Sequence, residues 1–317
     1  MRRLRLAIEG CYPSFADTDL VMRILGVLCS YERVSRWQPH DLLIRGPFSD
    51  GSGRRRLVSR IWARQQQLLS RRAGVRLHVS AENPFAANYQ SFEESGCDFG
   101  LGHEIRCGDP SYWRLPHWVN YIDFRLQGIP AIEHWVRLGA PLTCEQLQQP
   151  LRWNRGGVER AVFVCSSLNA ERRFLLRRIS LTLPTDGFGR AFDPAIRDHA
   201  RSSFTKRDLL GRYRFCFCPE NAIAPGYVTE KIPESFACGA IPIGYVDPLV
   251  SLDFDSGAII NLHDFLAIGV EKGLAEVIHT QAAMDRLLST PLLRQPYPLE
   301  GLLSFLRRVV EAARSGL

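Results

Sequence analysis

The 317-residue chain contains no run of about 18 or more apolar residues, so no segment is expected to cross a bilayer as a helix. It has no Cys-x-x-Cys pair and no Cys/His cluster at zinc spacing, which argues against a structural metal. The nine cysteines are odd in number and scattered. Those in apolar strings, such as Cys165 and Cys238, read as small buried hydrophobes and imply a reducing compartment. Cys216 and Cys218 flank Phe217 and would share one face of a strand. No internal repeat or low-complexity tail is present. The net charge is +7, carried far more by arginine than by lysine. No nucleic-acid motif or aromatic-interleaved basic platform accompanies it, so nucleic acid is not the expected partner. The opening Met1–Glu9 is basic and then only briefly apolar, too short for a signal-peptide core, and reads as a first strand.

The chain does have the means for two real cores: 45% of its residues are hydrophobic, and its length suits two domains. Short apolar runs alternate with helical patterns, which predicts an α/β fold. In the first half, strands are predicted at 5–9, 41–45 and 74–80. A helix is predicted over 17–29, capped by Asp17 or Thr18, and another over 57–69 after a Gly/Ser/Arg loop at 50–56. Helical pieces are read at 132–138 and at 143–149, the second capped by Thr143. The most polar middle stretch, near 150–158, predicts the boundary between a domain at 1–153 and a second at 154–317. That second domain is read as strand 159–165, helix 170–179, a Gly-rich turn at 183–190, strand 257–265, helix 270–287 and a last amphipathic helix at 299–313. The last helix presents Leu302, Leu303, Leu306, Val309 and Val310 on one side, expected to pack on protein; membrane contact by Arg307 and Arg308 is the less favoured alternative.

The stretch organising the rest is 213–245. Tyr213–Phe217 has the composition of a strand, and Pro219–Gly226 that of a loop. Thr229 is the expected N-cap of a helix carrying Pro233 in its first turn and ending at Gly239. Residues 240–245 form a second buried strand. Asn221, Tyr227, Glu230 and Lys231 gather at the loop and helix start, where free N–H groups and a lysine suit a diphosphate. The alternative is that Glu230 and Lys231 are solvated first-turn charges and Tyr227 is core. Glu82 follows strand 74–80, the position where functional groups of open α/β sheets sit, and a carboxylate there can act as general base. A surface Glu ahead of Pro84 is the plainer reading.

Pro219-Glu-Asn-x5-Tyr-Val-Thr-Glu-Lys231, followed by Ala237-Cys-Gly-Ala-Ile-Pro-Ile243, resembles the donor-binding signature of the α-1,3/1,4-fucosyltransferases, glycosyltransferase family 10. Pro219 stands where that family usually has Phe. Phe163-Val-x-Ser-x-x-Asn-x-x-x-Arg173 and the Ser80-Ala-Glu-Asn83 segment are similar to further family segments, as are the residues at 97–103 and 112–117. The resemblance covers about 40–265. It implies a GT-B architecture of two Rossmann-like domains facing a cleft, acceptor on the first and nucleotide sugar on the second. It also implies inverting transfer of L-fucose from GDP-fucose to an N-acetylglucosamine-containing oligosaccharide, the linkage taken as α-1,3. Glu82 would be the base. Arg173 would grip the diphosphate, with Arg172 one residue away left open, and Asn221, Tyr227, Glu230 and Lys231 would complete donor binding. His103, Trp113 and Arg114 are the weaker acceptor-binding candidates, for which a half-buried core role is the alternative. No metal site and no required cofactor are expected, a divalent ion at most raising the rate. The anchorless start resembles the soluble bacterial members, and a cytoplasmic enzyme with at most peripheral contact at the inner membrane is expected. The heptad tail of long bacterial relatives is absent. A GT-B enzyme using another nucleotide sugar and a non-catalytic glycan- or nucleotide-binding protein are the alternatives.

Overall fold

The computed structural model describes residues 2–48, 74–131, 141–153, 156–193 and 206–316. The segments read as a loop at 50–56 and as helices at 57–69 and 132–138 lie outside the described residues. The chain divides into two compact units. The first holds Met1–Asn120, Arg125–Pro130 and Pro298–Leu317, and the second Tyr121–Phe124 and Ala131–Tyr297.

In chain order the elements used below are β1 (Leu4–Glu9), α1 (Leu20–Leu28), β2 (Tyr31–Arg33), β3 (Leu42–Arg45), β4 (Val75–Ser80), β5 (Phe99–Gly102), β6 (Tyr112–Arg114), β7 (Val158–Val164), α2 (Ala170–Ile179), β8 (Thr185–Phe188), β9 (Tyr213–Phe217), α3 (Lys231–Ala237), β10 (Ile241–Gly244), β11 (Ile260–Asn261), α4 (Val270–His279), α5 (Gln281–Ser289) and α6 (Leu299–Ser315). The first unit carries a sheet in the order β2-β1-β3-β4-β5-β6 and the second a sheet in the order β11-β10-β9-β7-β8. Every pairing in both is parallel. Parallel sheets are covered on both faces, which is why β1, β3 and β4 read as continuous apolar runs rather than alternations. Leu6, Leu42, Ile44 and Leu77 are fully buried there. Because all six strands of the first sheet run one way, the residues that follow them collect along one edge. Glu82, after β4, and His103, after β5, share that edge.

Several expectations are corrected. The helix predicted over 17–29 begins, as α1, at Leu20 and is capped by Asp19, whose Oδ1 accepts from the Val21 N–H at 2.9 Å, and not by Asp17 or Thr18, which end a separate one-turn helix at Phe15–Thr18. The Gly-rich segment 183–190 contains strand β8, paired to β7, and is not merely a turn. Asp186 is held there by the Arg160 guanidinium (3.0 and 2.5 Å) and the Tyr213 hydroxyl (3.0 Å). Gly187 lets the Phe192 ring approach to 2.3 Å from where a β-carbon would stand. The predicted strand 257–265 reduces to β11 between two 3-10 turns. The helix predicted over 270–287 is two helices, broken at Thr280 in an extended conformation (φ −97°, ψ 113°).

The last helix, read from sequence as the end of the second domain, groups with the first unit. It packs against β4 and α1. Phe305 meets Phe99 of β5 edge-on at 5.9 Å, and Arg308 donates to the Pro110 carbonyl at 2.9 Å. No helix among the described residues is long and apolar enough to cross a membrane.

Candidate functional site

In the second unit the loop between β9 and α3 closes on itself around Glu220. Its side chain is fully buried. The carboxylate accepts from the Thr229 N–H at 2.8 Å, from the Thr229 hydroxyl at 2.8 and 2.9 Å, and from Lys231 Nζ at 3.0 Å. Lys231 also donates to Thr229 Oγ1 at 2.7 Å, so two of its three donors are used inside the loop. Burial pushes the Lys231 ammonium down, but the Glu220 carboxylate, and after it Glu230, push it up further, and the net direction is up.

This arrangement corrects the predicted cap. α3 starts at Lys231 with Glu230 as its N-cap residue, and Glu230 makes no capping hydrogen bond. Thr229 is drawn away because a buried carboxylate is a stronger acceptor for its hydroxyl than a helix end is a donor. The end of the helix is as predicted: Gly239 takes φ +85° just beyond it.

Arg172, on the first turn of α2, reaches into the same loop. Its Nε donates to the Glu220 carbonyl (3.2 Å), Nη1 to the Ser167 carbonyl (3.2 Å), and Nη2 to the Pro219 carbonyl (2.9 Å) and Asn221 Oδ1 (2.5 Å). It is buried. Arg173, the residue singled out from sequence, is exposed and does not enter this network; its Nη2 donates to the Leu168 carbonyl at 3.4 Å. Asn169 caps α2 through the Arg172 N–H at 2.8 Å and extends to the Asn221 carbonyl at 3.5 Å. The structure therefore unites Asn221, Glu230 and Lys231 with Arg172 and Glu220, while Arg173 stands at the surface. Tyr227 is buried, so its ring is part of the interior and is not presented for stacking.

The charges of the loop balance. Glu220 and Glu230 offset Arg172 and Lys231, with Lys231 Nζ 4.0 Å from Glu230. The frame is thus charge-balanced, with one of the three Lys231 donors left over. The cavity under it, lined by Arg172, Lys206, Cys216, Cys218, Lys231 and Ser235 among others, has a volume of about 20 Å³. That is room for about one water. Glu220 is the residue sequence reading passed over. The available signal was an acid directly after a buried strand, followed by Thr-x-Lys, two groups able to satisfy a buried carboxylate.

In the first unit Glu82 stands two residues beyond β4. Its Oε1 accepts from the Asn83 N–H (2.9 Å) and Asn83 Nδ2 (3.0 Å). The preceding Ala81 carbonyl accepts from His117 Nδ1 at 2.9 Å; since a carbonyl only accepts, that nitrogen carries the proton. His117 therefore fixes the backbone from which Glu82 projects. The three acceptor candidates divide. His103 is buried, and burial, with smaller opposing effects from Glu104 (up) and from Arg114 and His117 (down), lowers its imidazole to about 4. Arg114 closes β6 beside it, in register with Gly102. Trp113 points elsewhere: its ring packs on α6, 6.5 Å from Phe305, with Cη2 2.2 Å from the position a β-carbon on Gly301 would take. It secures a helix instead of standing with His103 and Arg114. Among the described residues no group of three or more His, Cys, Asp or Glu is placed to hold a metal ion.

Comparison with known proteins bears on this site. Residues 157–284 match the family model described as glycosyltransferase family 10 (fucosyltransferase), C-terminal. A curated relative, the alpha-(1,3)-fucosyltransferase FucT of Helicobacter pylori, is 36% identical over 89 residues, which are 27% of this chain and 19% of that protein. The match thus spans about a fifth of the relative's length. Among solved structures, an alpha1,3-fucosyltransferase matches over 98% of this chain and 90% of its own, with a TM-score of 0.64 and 22% identity. Structures described as alpha1,3-fucosyltransferase with GDP-fucose and with GDP match with TM-scores of 0.60 and 0.62, each at 21% identity. At that identity the likeness is one of fold, and the fold is the expected α/β arrangement with two parallel sheets.

Proposed function

We propose, from the match of residues 157–284 to the glycosyltransferase family 10 (fucosyltransferase) C-terminal model, that the chain transfers L-fucose from GDP-fucose to a hydroxyl of an N-acetylglucosamine-containing oligosaccharide, with inversion and in α-1,3 linkage. The observation that supports this best is the ordered run from Pro219 to Lys231, which closes into one hydrogen-bonded frame through Glu220 and Arg172. A frame of this kind presents a donor loop in one conformation, so less of the binding energy goes into ordering it.

In the proposed reaction Glu82 takes the proton of the acceptor hydroxyl, and Oε2 is the oxygen assigned to it because the recorded bonds end on Oε1. The acceptor oxygen bonds to the anomeric carbon as the carbon–oxygen bond to the β-phosphate breaks on the opposite face. Negative charge gathers on the departing diphosphate. Arg173, exposed beside the donor loop's partner helix, and the remaining donor of Lys231 are assigned to it, since a guanidinium grips two oxygens together. Glu230 and Asn221 are assigned to the donor's sugar hydroxyls. Tyr227, being buried, supports the loop from inside. We further assign no essential metal, a cytoplasmic setting, and at most peripheral membrane contact.

The test is incubation with GDP-fucose and a β-galactosyl-N-acetylglucosamine acceptor, reading product mass and linkage, with and without chelator. Glu82→Gln should keep GDP affinity and lose transfer; transfer at the parent rate removes Glu82 as base. A thermal shift with UDP and none with GDP would favour another nucleotide sugar, and no shift with either a different function.

A further inference from the structure

The turn that carries Glu82 also carries an aromatic ring that the fold leaves in solvent. Asn83, held to Glu82 through its N–H and Nδ2, accepts the Phe85 N–H on its own Oδ1 at 3.0 Å. The Ala86 N–H returns to the Asn83 carbonyl at 3.1 Å, and the Tyr89 N–H to the Ala86 carbonyl at 3.1 Å. Two successive turns thus fix residues 83–89, and Asn88 takes the left-handed conformation (φ +63°) within the second. The far end is pinned by the Gln90 N–H on the Pro47 carbonyl at 2.7 Å. Within this braced segment Phe85 is 74% exposed.

A ring that contributes nothing to a core, on a backbone whose N–H groups make five hydrogen bonds, is a poor solution for stability alone. Exposing a phenyl group forgoes the burial that most such rings obtain. Its position gives it a use. Three residues of chain span at most about 11 Å between α-carbons, less when folded into a turn, so Phe85 and Glu82 project from neighbouring points of one braced turn. The C–H face of a pyranose is apolar and flat enough to lie on a phenyl ring. The Glu82 edge of the parallel sheet is also the side on which ligands of open α/β sheets are bound.

We propose that Phe85 is a specificity-determining acceptor contact, stacking on the C–H face of the sugar joined to the unit whose hydroxyl Glu82 deprotonates. This rests on the fucosyl-transfer reading above and adds to it a preference: acceptors with a neighbouring pyranose over the bare monosaccharide. The Asn83 side chain links the two positions, since its Nδ2 bonds the Glu82 carboxylate and its Oδ1 the Phe85 backbone N–H.

The experiment compares Phe85→Ala, Phe85→Trp and parent protein on β-galactosyl-N-acetylglucosamine and on N-acetylglucosamine alone, with saturation-transfer NMR of the disaccharide as a readout independent of turnover. Phe85→Ala should raise the disaccharide KM about tenfold, leave the monosaccharide KM, the GDP-fucose KM and kcat within about twofold, and leave the melting temperature unchanged. Saturation transfer to the galactose ring protons should fall with it, and Phe85→Trp should restore both. An unchanged disaccharide KM, an equal rise for both acceptors, or no restoration by tryptophan overturns the proposal while leaving fucosyl transfer intact. Absence of fucosyl transfer and of disaccharide binding by the parent protein overturns both readings, and is told apart by that pattern.

Discussion

Glu220 and Lys231 form the pair on which the donor loop depends, and removing one charge tests it directly. Glu220→Gln keeps volume and an acceptor for the Thr229 N–H but leaves the Lys231 ammonium without its carboxylate. At the observed 3.0 Å the attraction is about 5 kcal/mol at an effective dielectric of about 20. Breaking one side of a buried pair typically costs about 3–5 kcal/mol, because the remaining charge is left in the interior. The Glu220 side chain is fully buried and that of Lys231 only 21% exposed, so the pair is of this kind and salt should screen it little. For a unit of this size the loss corresponds to roughly 6–20 °C in melting temperature. The assay is thermal and urea unfolding at pH 7, in 0.15 and 1 M salt, of Glu220→Gln, Lys231→Met and the double variant. The double variant should be more stable than the sum of the single effects by about 2 kcal/mol or more, since it leaves no orphaned charge. The Lys231 ammonium is raised above its ordinary 10.5, so its contribution is complete below that pH and disappears as pH climbs through the folded value. The gap between parent and Glu220→Gln should therefore narrow in strong alkali. A melting temperature within about 2 °C of the parent, or strict additivity of the two substitutions, would refute the argument.

Arg172 and Arg173 should separate by assay. Arg172→Ala loses three bonds to the loop and one to the Ser167 carbonyl, and should lower stability and raise the GDP-fucose KM about tenfold, with Arg172→Lys failing to rescue because one ammonium cannot reach several carbonyls. Arg173→Ala should leave the melting temperature alone and lower kcat about a hundredfold; a reversed pattern would exchange their roles. His78 and His103 are both lowered from 6.5 to about 4 by burial. Stability they support is complete above about pH 6.5 and falls towards pH 4, by about 2 kcal/mol each at pH 5. Melts from pH 7.5 to 5 should show this, and His78→Asn should flatten it; an equal slope in the variant would count against the assignment. Gly301→Ala should destabilise by about 1–2 kcal/mol although alanine is the better helix former, because its methyl meets the Trp113 ring. A rise in melting temperature would show that the ring is free to move aside.

Much of the molecule was legible in one dimension. The apolar runs at 4–9, 42–45 and 75–80 announce buried parallel strands because both faces of each must be covered. Thr143 and Gly239 marked helix ends through chemistry that acts within a few residues. The order of residues from Pro219 to Lys231 was readable for the same reason, and so was the position of Glu82 after a strand. What tertiary structure decided is what depends on partners distant in the chain. Residues 185–188 become a strand by pairing in parallel with β7, where Arg160 and Tyr213 also converge on Asp186. The amphipathic pattern of α6 says that one face is buried, but not that the first sheet buries it. Neighbouring arginines at 172 and 173 differ by one helical step of about 100°, and only the loop packed against α2 determines which turns inward. Glu220 looked like an ordinary loop acid until Thr229 and Lys231 folded onto it, because satisfaction of a buried charge is a property of the surroundings and not of the residue.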